Sequence, residues 1–359
     1  MDIAIIGAGL IGRWCAYLLD RAGHPVSVFE QGADPLDTSC SWVGAGMLAP
    51  LSELEWAEPL ISQLGWHALS LYEKILPQLE QSVFFQRNDT LVVAHHQDRP
   101  DFEAFAQRIN HKLDNQPDLG EKPVLLDRIR LQKMEPALAN RFEQGWWIKG
   151  EGQVNGRALL SALMASTHRT TWHWHTPTTA FGPGWVETQS QKHRFDTVLD
   201  CRGLMARDDF KSLRGVRGEL IHLRCPEVSL NRPVRMIHPR FPLYIVPRPE
   251  NHFIIGATSI ESEEMEPVHL RSAMELLSTA YSLHPAFAEA TILEMRAQCR
   301  PAFPDNLPKI VQQPGLIRIN GLYRHGFLIG PALAEIIVKL LGNASLDPRW
   351  SGLITTGAA

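Results

Sequence analysis

Nothing in this chain marks a membrane span, a metal cluster or a disulfide scaffold. No window approaches the ~20 consecutive apolar residues that a spanning helix needs, so integral membrane association is not expected. The five cysteines (Cys15, Cys40, Cys201, Cys225 and Cys299) are odd in number, widely scattered and form no CxxC pair. Reduced thiols are therefore expected, rather than disulfides or a zinc site. Among the fifteen histidines, His95-His96 and His173-x-His175 belong to no HExxH and to no cysteine–histidine cluster, and no metal is expected. A formal net charge of -4 supplies no basic field with which to hold nucleic acid. An apolar strand starts at Asp2 and leaves no room for a signal peptide, which makes the cytoplasm the expected compartment. Internal repeats and low-complexity segments are also missing.

What is present is an ordinary globular composition, 44% hydrophobic and 21% charged over 359 residues. That length fits one large or two interleaved domains. The N-terminal stretch carries the most information. Asp2-Ile3-Ala4-Ile5-Ile6 runs into Gly7-Ala8-Gly9-Leu10-Ile11-Gly12, a helical run follows to Arg21 with Gly23 as its stop, and Val26-Ser27-Val28-Phe29 ends on Glu30. Strand, GxGxxG, helix, strand and acid, in that order, make a dinucleotide fingerprint. Gly7 allows a tight turn, Gly9 lets backbone approach a pyrophosphate, and Gly12 lets the helix pack close to the sheet. Glu30 would accept hydrogen bonds from a ribose, and its charge would repel a 2′-phosphate. FAD or NAD is expected, with NADP disfavoured.

A compact NAD domain would continue with another crossover after Glu30. This chain instead passes through the polar stretch Gln31 to Ser41 into Trp42-Val43-Gly44-Ala45-Gly46-Met47-Leu48-Ala49-Pro50, whose small residues let backbone pass close to something large and flat. Helical periodicity is expected between Ala57 and Leu79 and over Asp101 to Leu113, with a strand at Thr90 to Ala94. Trp146-Trp147 read as structural packing, and Gln153-Val154-Asn155 leads into a helix over Gly156 to Ser166. Phe195 to Gly203 is a second candidate for the cofactor sheet, with Gly203 letting the nucleotide pass. Gly218 to Leu223, Leu243 to Pro247 and His252 to Thr258 suggest an antiparallel sheet. Val268 to Leu283 reads as an amphipathic helix with an apolar stripe at Leu270, Met274, Leu277 and Tyr281. Near the C-terminus come a strand, Leu316 to Ile319, and a helix from about Pro331 to Leu341.

This discontinuous order predicts an α/β (overall α+β) fold in which a Rossmann-like FAD-binding domain is interleaved with an antiparallel-sheet substrate domain. The first would comprise residues 1–50, 145–210 and 296–359, the second 51–144 and 211–295. FAD, laid out across one domain with its ring under a sheet of the other, suits that arrangement better than NAD.

The motifs in this order resemble the D-amino acid oxidase superfamily of FAD oxidoreductases, and within it the glycine oxidases of thiamine biosynthesis. The resemblance covers nearly the whole chain. It rests on GAGLIG with Glu30, on residues 41–50, on Tyr244-Ile245-Val246-Pro247-Arg248 and Gly256-Ala257-Thr258, on Cys299-Arg300-Pro301 followed by Pro304-Asp305 and Pro308, and on Tyr323-Arg324-His325-Gly326. It implies non-covalent FAD held by Gly7, Gly9, Leu10, Ile11, Gly12, Glu30 and Gln31 at the nucleotide end. Ser41, Gly46, Met47, Leu48, Val154 and Gly203 would follow along the cofactor, and Arg300, Arg324, Gly326, Phe327 and Leu328 would lie near the ring.

The implied chemistry is oxidation of an amine at the carbon bearing a carboxylate. Arg300 and Tyr244 match the positions that bind the substrate carboxylate, a bidentate guanidinium backed by a phenol, and Arg324 would touch flavin or substrate. Hydride transfer from Cα of the neutral amine to flavin N5 needs positioning rather than an obligatory acid or base. Products would be a 2-oxo acid, ammonia and, with O2 as acceptor, H2O2. A helix start after Gly326 would stabilise charge growing at the flavin N1 and C2 carbonyl.

Three departures bear on the substrate. The family commonly shows GHYRNG where this chain has Gly321-Leu322-Tyr323-Arg324-His325-Gly326, Ser259 stands where a methionine can occur, and Pro242 lies near a position that can hold histidine. Glycine, a secondary amine such as sarcosine, a small D-amino acid and a cyclic imino acid all stay open. Cys299 lies close to where related sarcosine oxidases attach FAD, and reads here as an ordinary buried thiol. Two further readings stand beside the oxidase: a dehydrogenase passing electrons to a quinone or protein, and a flavin-binding maturation or regulatory protein. A homo-oligomer is left open.

Overall fold

The computed structural model describes residues 1–138, 140–238 and 243–357. Two large sheets organise it. The first has seven strands in the order Ile354–Thr356, Lys309–Gln313, Leu316–Asn320, Thr197–Asp200, Ile3–Ile6, Val26–Phe29, Thr170–His173. All its pairings are parallel except Lys309–Gln313 with Leu316–Asn320. Ile3–Ile6 is central and buried throughout, because both faces of the sheet are covered. On one face Ile3 and Ile5 share a core with the helices Leu10–Arg21, Pro59–Ile75, Gly156–Ala165 and Gly326–Leu341. On the other, Ala4 and Ile6 meet Val186 and Phe181 from a three-stranded sheet over residues 178–194, and Phe195 just after it.

The second sheet has eight strands, ordered Thr291–Ala302, Arg214–Arg224, His252–Gly256, Leu243–Arg248, Val234–Ile237, Thr90–Ala94, Gln144–Ile148, Val124–Asp127. Only the pairing of Val234–Ile237 with Thr90–Ala94 is parallel. The mixed α/β fold is the one expected, with a Rossmann-like sheet beside a largely antiparallel one. Two strands cross the boundaries drawn from the sequence. Gln144–Ile148 belongs to the eight-stranded sheet, and Thr291–Ala302 runs through residue 296.

The N-terminal helix spans Leu10–Arg21 as predicted, with Gly23 just beyond it at φ 88°. Two helices differ from expectation. Leu270–Leu283 buries Leu276, Ala280 and Leu283, half-buries Leu277 against the same core, and exposes the other three residues of the predicted stripe, Leu270, Met274 and Tyr281. Its sequence carries two apolar stripes, and the sheet covers the one with the smaller residues. The C-terminal helix begins at Gly326, five residues before Pro331, which sits inside it. Proline removes the N–H that would bond the carbonyl four residues back, and the Tyr72 hydroxyl replaces it, donating to the Phe327 carbonyl at 2.7 Å. Among the described residues no helix is long and apolar enough to cross a membrane.

Candidate active site

The nucleotide end is built from a turn only glycine can make. Gly7 lies at φ 99° and donates its N–H to the Phe29 carbonyl at 2.9 Å. A Cβ at Gly7 would meet the Cys201 carbonyl oxygen at 2.8 Å, and one at Gly12 would run into the Gly7 carbonyl. The turn, the helix and two strand ends are thus pressed together without side chains between them. Glu30 closes the loop, accepting from the Ala8 N–H at 2.8 Å and the Gly32 N–H at 2.9 Å. Ser41 Oγ accepts from the Leu10 N–H at 3.0 Å at the helix start. Arg13, fully buried, donates to the Ala8 carbonyl at 2.9 Å and pairs with Asp34 at 2.8 Å, which fixes the turn from beneath.

The segment 43–47 lies over one face of the eight-stranded sheet, where Val43 and Ala45 pack on Leu220, Val246 and Ile254. Arg248 holds it there. Its guanidinium is buried and donates to the carbonyls of Ala45 (2.5 Å) and Val154 (2.7 Å) and to the Gln153 side chain. A Cβ on Gly46 would collide with the Val154 carbonyl, so this approach also requires glycine.

The sheet face beneath carries the two residues expected to bind carboxylate. Tyr244 stands directly opposite Gly256 on the neighbouring strand, and a Cβ there would meet the Tyr244 hydroxyl at 2.8 Å. Arg300 reaches across from Thr291–Ala302 so that a Cβ on Gly218 would overlap its guanidinium. Arg300 Nη1 donates to the Thr258 carbonyl at 3.1 Å. Burial pushes the Tyr244 phenol up, against the opposing field of Arg300, so it carries its proton at neutral pH. On the opposite face, Arg217 and Glu219 form a fully buried pair at 2.7 Å, and Arg217 donates to the carbonyls of Glu264, Glu266 and Pro267. That pair anchors the segment after Thr258.

Of the third wall, sequence reasoning finds Arg324 and misses Glu53 and His325. Glu53, which ends the short helix Pro50–Glu53, pairs through Oε2 with Arg324 at 2.8 Å, and His325 Nδ1 lies 3.5 Å from the same oxygen. Burial pushes the Glu53 carboxyl up, but Arg324, His325 and Arg235 together outweigh it and hold it at about 2. Burial, with Arg324 and Arg300, lowers His325 to about 4 against the pull of Glu53, so His325 is neutral. The one signal for Glu53 in the sequence is its place among apolar neighbours just past Pro50, an acid that burial would force to find partners.

These walls enclose one cavity of about 970 Å³, at the upper end of ligand cavities. Gly7, Gly9, Leu10, Ile11, Glu30, Gln31, Ser41, Gly46, Met47 and Gly203 line its nucleotide side. Tyr244, Arg300, Arg324, Gly326, Phe327 and Leu328 line the other end. Gly12, Leu48 and Val154 do not line it: Gly12 is consumed by helix–turn packing, and the side chains of Leu48 and Val154 are fully buried in the core. Ser259 lies at the rim with its Oγ 3.1 Å from the Tyr323 hydroxyl. Cys299 is buried, its thiol against the carbonyls of Ser262 and Glu264. Pro242 falls outside the described residues. Five arginines line the cavity, and among the described residues four have a carboxylate partner: Arg202 with Asp200, Arg207 with Glu263, Arg235 with Glu55 and Arg324 with Glu53. Arg300 has none.

A parallel sheet with a glycine turn at one end of a long cavity, and an antiparallel sheet roofing the other end, define a dinucleotide-dependent oxidoreductase. Comparison with known proteins narrows the class. Residues 2–340 match the model of the FAD dependent oxidoreductase family, and the chain belongs to that family. It is 39% identical over 349 residues to a putative thiamine biosynthesis oxidoreductase ThiO of Rhizobium etli, covering 97% of this chain and 99% of that protein. A glycine oxidase of Geobacillus kaustophilus is 27% identical over 95% of this chain and 92% of its own length. The crystal structure of glycine oxidase from Geobacillus kaustophilus superposes with a TM-score of 0.85 at 24% identity, covering 98% and 97% of the two chains, and shows the same fold. The protein is thus an FAD-dependent enzyme of the ThiO and glycine oxidase type.

Proposed function

We propose that the enzyme carries out oxidative deamination of glycine or a similar small amino acid or secondary amine, consuming O2 and water and releasing a 2-oxo acid, H2O2 and ammonia or, from a secondary amine, the corresponding primary amine. The observation that carries this reading is the Arg300 guanidinium, the one arginine of the cavity without a carboxylate partner among the described residues, set beside a protonated phenol. A charge left unpaired in such a place calls for an anion, and an amino acid brings one.

The walls fit FAD. Gly7 and Gly46 line the cavity with bare backbone, because a Cβ at either would collide with the Cys201 or Val154 carbonyl, the helix starting at Leu10 presents its N-terminal N–H groups, and Glu30 stands at the end of the second strand for a ribose. Gln31, Ser41, Met47 and Gly203 would flank the cofactor, and Gly326, Phe327 and Leu328 would bring the start of the C-terminal helix to the ring. When bound, FAD supplies the two-electron acceptor that takes hydride from the substrate Cα and passes the electrons to O2. The protein's share is orientation: Arg300 takes the substrate carboxylate bidentately, and the Tyr244 hydroxyl donates to the same group. The positive end of helix Gly326–Leu341 favours negative charge developing nearby.

Anaerobic titration of the purified yellow protein with glycine, sarcosine, proline and small D- and L-amino acids tests the reading. At least one should bleach the flavin, and admission of air should restore the colour with formation of H2O2. Bleaching without H2O2 would point to a dehydrogenase, and a spectrum that no small amine changes would remove amine oxidation altogether.

A further inference from the structure

Glu53 is a carboxylate inside a cavity whose expected ligand is itself an anion, and the oxidation reaction gives it no role. Its position explains which anions the cavity admits. Arg324, on the turn before the C-terminal helix, donates through Nε (2.9 Å) and Nη2 (2.8 Å) to the same Glu53 oxygen. Arg235, the next guanidinium along the wall, donates to the Ser52 carbonyl and faces Glu55 at 3.7 Å. Glu53 therefore neutralises Arg324, while Glu55, which also pairs with Arg108 at 2.5 Å, faces Arg235. Glu53 is ionised over the whole working range, because against burial the neighbouring cations, Arg324 foremost, hold its carboxyl at about 2. His325 is neutral there and adds no compensating charge.

We propose that Glu53 is the specificity-determining residue that restricts the pocket to substrates with one carboxylate. Arg300 anchors that carboxylate, and this inference rests on the anchor assigned above. A second carboxylate on the substrate, pointing toward Arg324, meets a cation already satisfied and a like charge beside it. Removing the Glu53 charge frees the Arg324 guanidinium as a second anion site, and removing Arg324 leaves Glu53 as a bare repelling charge. The two substitutions therefore move selectivity in opposite directions, which a merely structural pair would not do, since losing either half would then weaken binding alike.

Absorbance titration of the FAD-loaded protein with acetate and malonate, neither of which is oxidised, reads this directly. Glu53→Gln is expected to shift the ratio of acetate to malonate dissociation constants at least tenfold toward malonate, and Arg324→Gln to shift it the other way. With oxidisable ligands, Glu53→Gln should raise kcat/KM for iminodiacetate relative to glycine by a similar factor. Ratios that stay within twofold of the native protein, or that move in the same direction in both variants, overturn the proposal. If Glu53→Gln does not retain FAD, the Arg324→Gln ratio decides alone. Arg300→Lys separates the two layers. Acetate binding indifferent to Arg300 overturns the anchor and the inference with it, whereas an Arg300-dependent acetate site with unshifted ratios overturns only the role of Glu53.

Discussion

Tyr244 and Gly256 are direct cross-strand partners, and the phenol occupies the space that any side chain at residue 256 would need. Gly218 does the same for Arg300. The two glycines therefore set where Tyr244 and Arg300, the proposed carboxylate-binding pair, lie. Gly218→Ala should displace the Arg300 guanidinium and raise the apparent KM for the amino acid about tenfold or more, equivalent to about 1.4 kcal/mol of binding, with FAD content preserved. Arg300→Lys, which loses the bidentate contact, should cost about 2 to 5 kcal/mol. Steady-state kinetics on FAD-loaded variants checks both, and an unchanged KM in Gly218→Ala would show that Arg300 tolerates displacement.

How far the site could be read from sequence follows the range of the contacts involved. Gly7, Gly12 and Glu30 act within one strand–turn–helix–strand unit, so spacing alone locates them. Leu48 adjoins the cavity residues Met47 and Ala49 in the chain and Val154 sets its carbonyl against Gly46, yet both side chains point away from the cavity. Their orientation depends on the pleat of the strands Met47–Leu48 and Gly152–Val154, which pair across more than a hundred residues. Glu53 and Arg324 are 271 residues apart. No local pattern announces such a pair. The stripe Leu270, Met274, Leu277 and Tyr281 shows a related limit: periodicity finds an apolar face, but the neighbouring sheet decides which residues are covered, and of these four Leu277 alone packs against the core.

Tyr72 repairs a defect that Pro331 introduces. Without the hydroxyl, the buried Phe327 carbonyl has no donor, because residue 331 has no N–H to offer. Tyr72→Phe should destabilise the protein by about 1 to 3 kcal/mol, measured as a lowered urea midpoint. Adding Pro331→Ala restores an N–H at the right place and should recover part of the loss. A double variant no more stable than Tyr72→Phe would separate the two residues.

Acid should destabilise the protein through His325. In the unfolded chain this imidazole titrates near 6.5, whereas in the fold burial and the two arginines lower it to about 4. Between those values the unfolded state binds more protons, so stability is fully present above about 6.5 and is lost as pH falls toward 4. The contribution has a ceiling of about 3 kcal/mol. His325→Asn should flatten the fall in urea midpoint between pH 7 and pH 4.5. An identical slope in the variant would assign the loss to other groups, of which His222, lowered to about 3 mainly by burial, is the next candidate.

Glu30 joins the phosphate turn to the loop that follows the second strand, since its two oxygens accept from the Ala8 and Gly32 N–H groups. Hydrogen bonds to a charged acceptor contribute about 1.5 to 3 kcal/mol each. Glutamine at this position keeps one acceptor oxygen and turns an NH2 toward the other donor, so one backbone N–H faces a donor of its own kind. Glu30→Gln should therefore weaken FAD binding by about ten- to a hundredfold, about 1.4 to 2.8 kcal/mol, while the melting temperature of the FAD-free protein changes little. Titration of FAD-stripped protein with FAD, followed by flavin fluorescence, measures this. Native FAD affinity in the variant would show that the carboxylate charge is not what holds the turn in place.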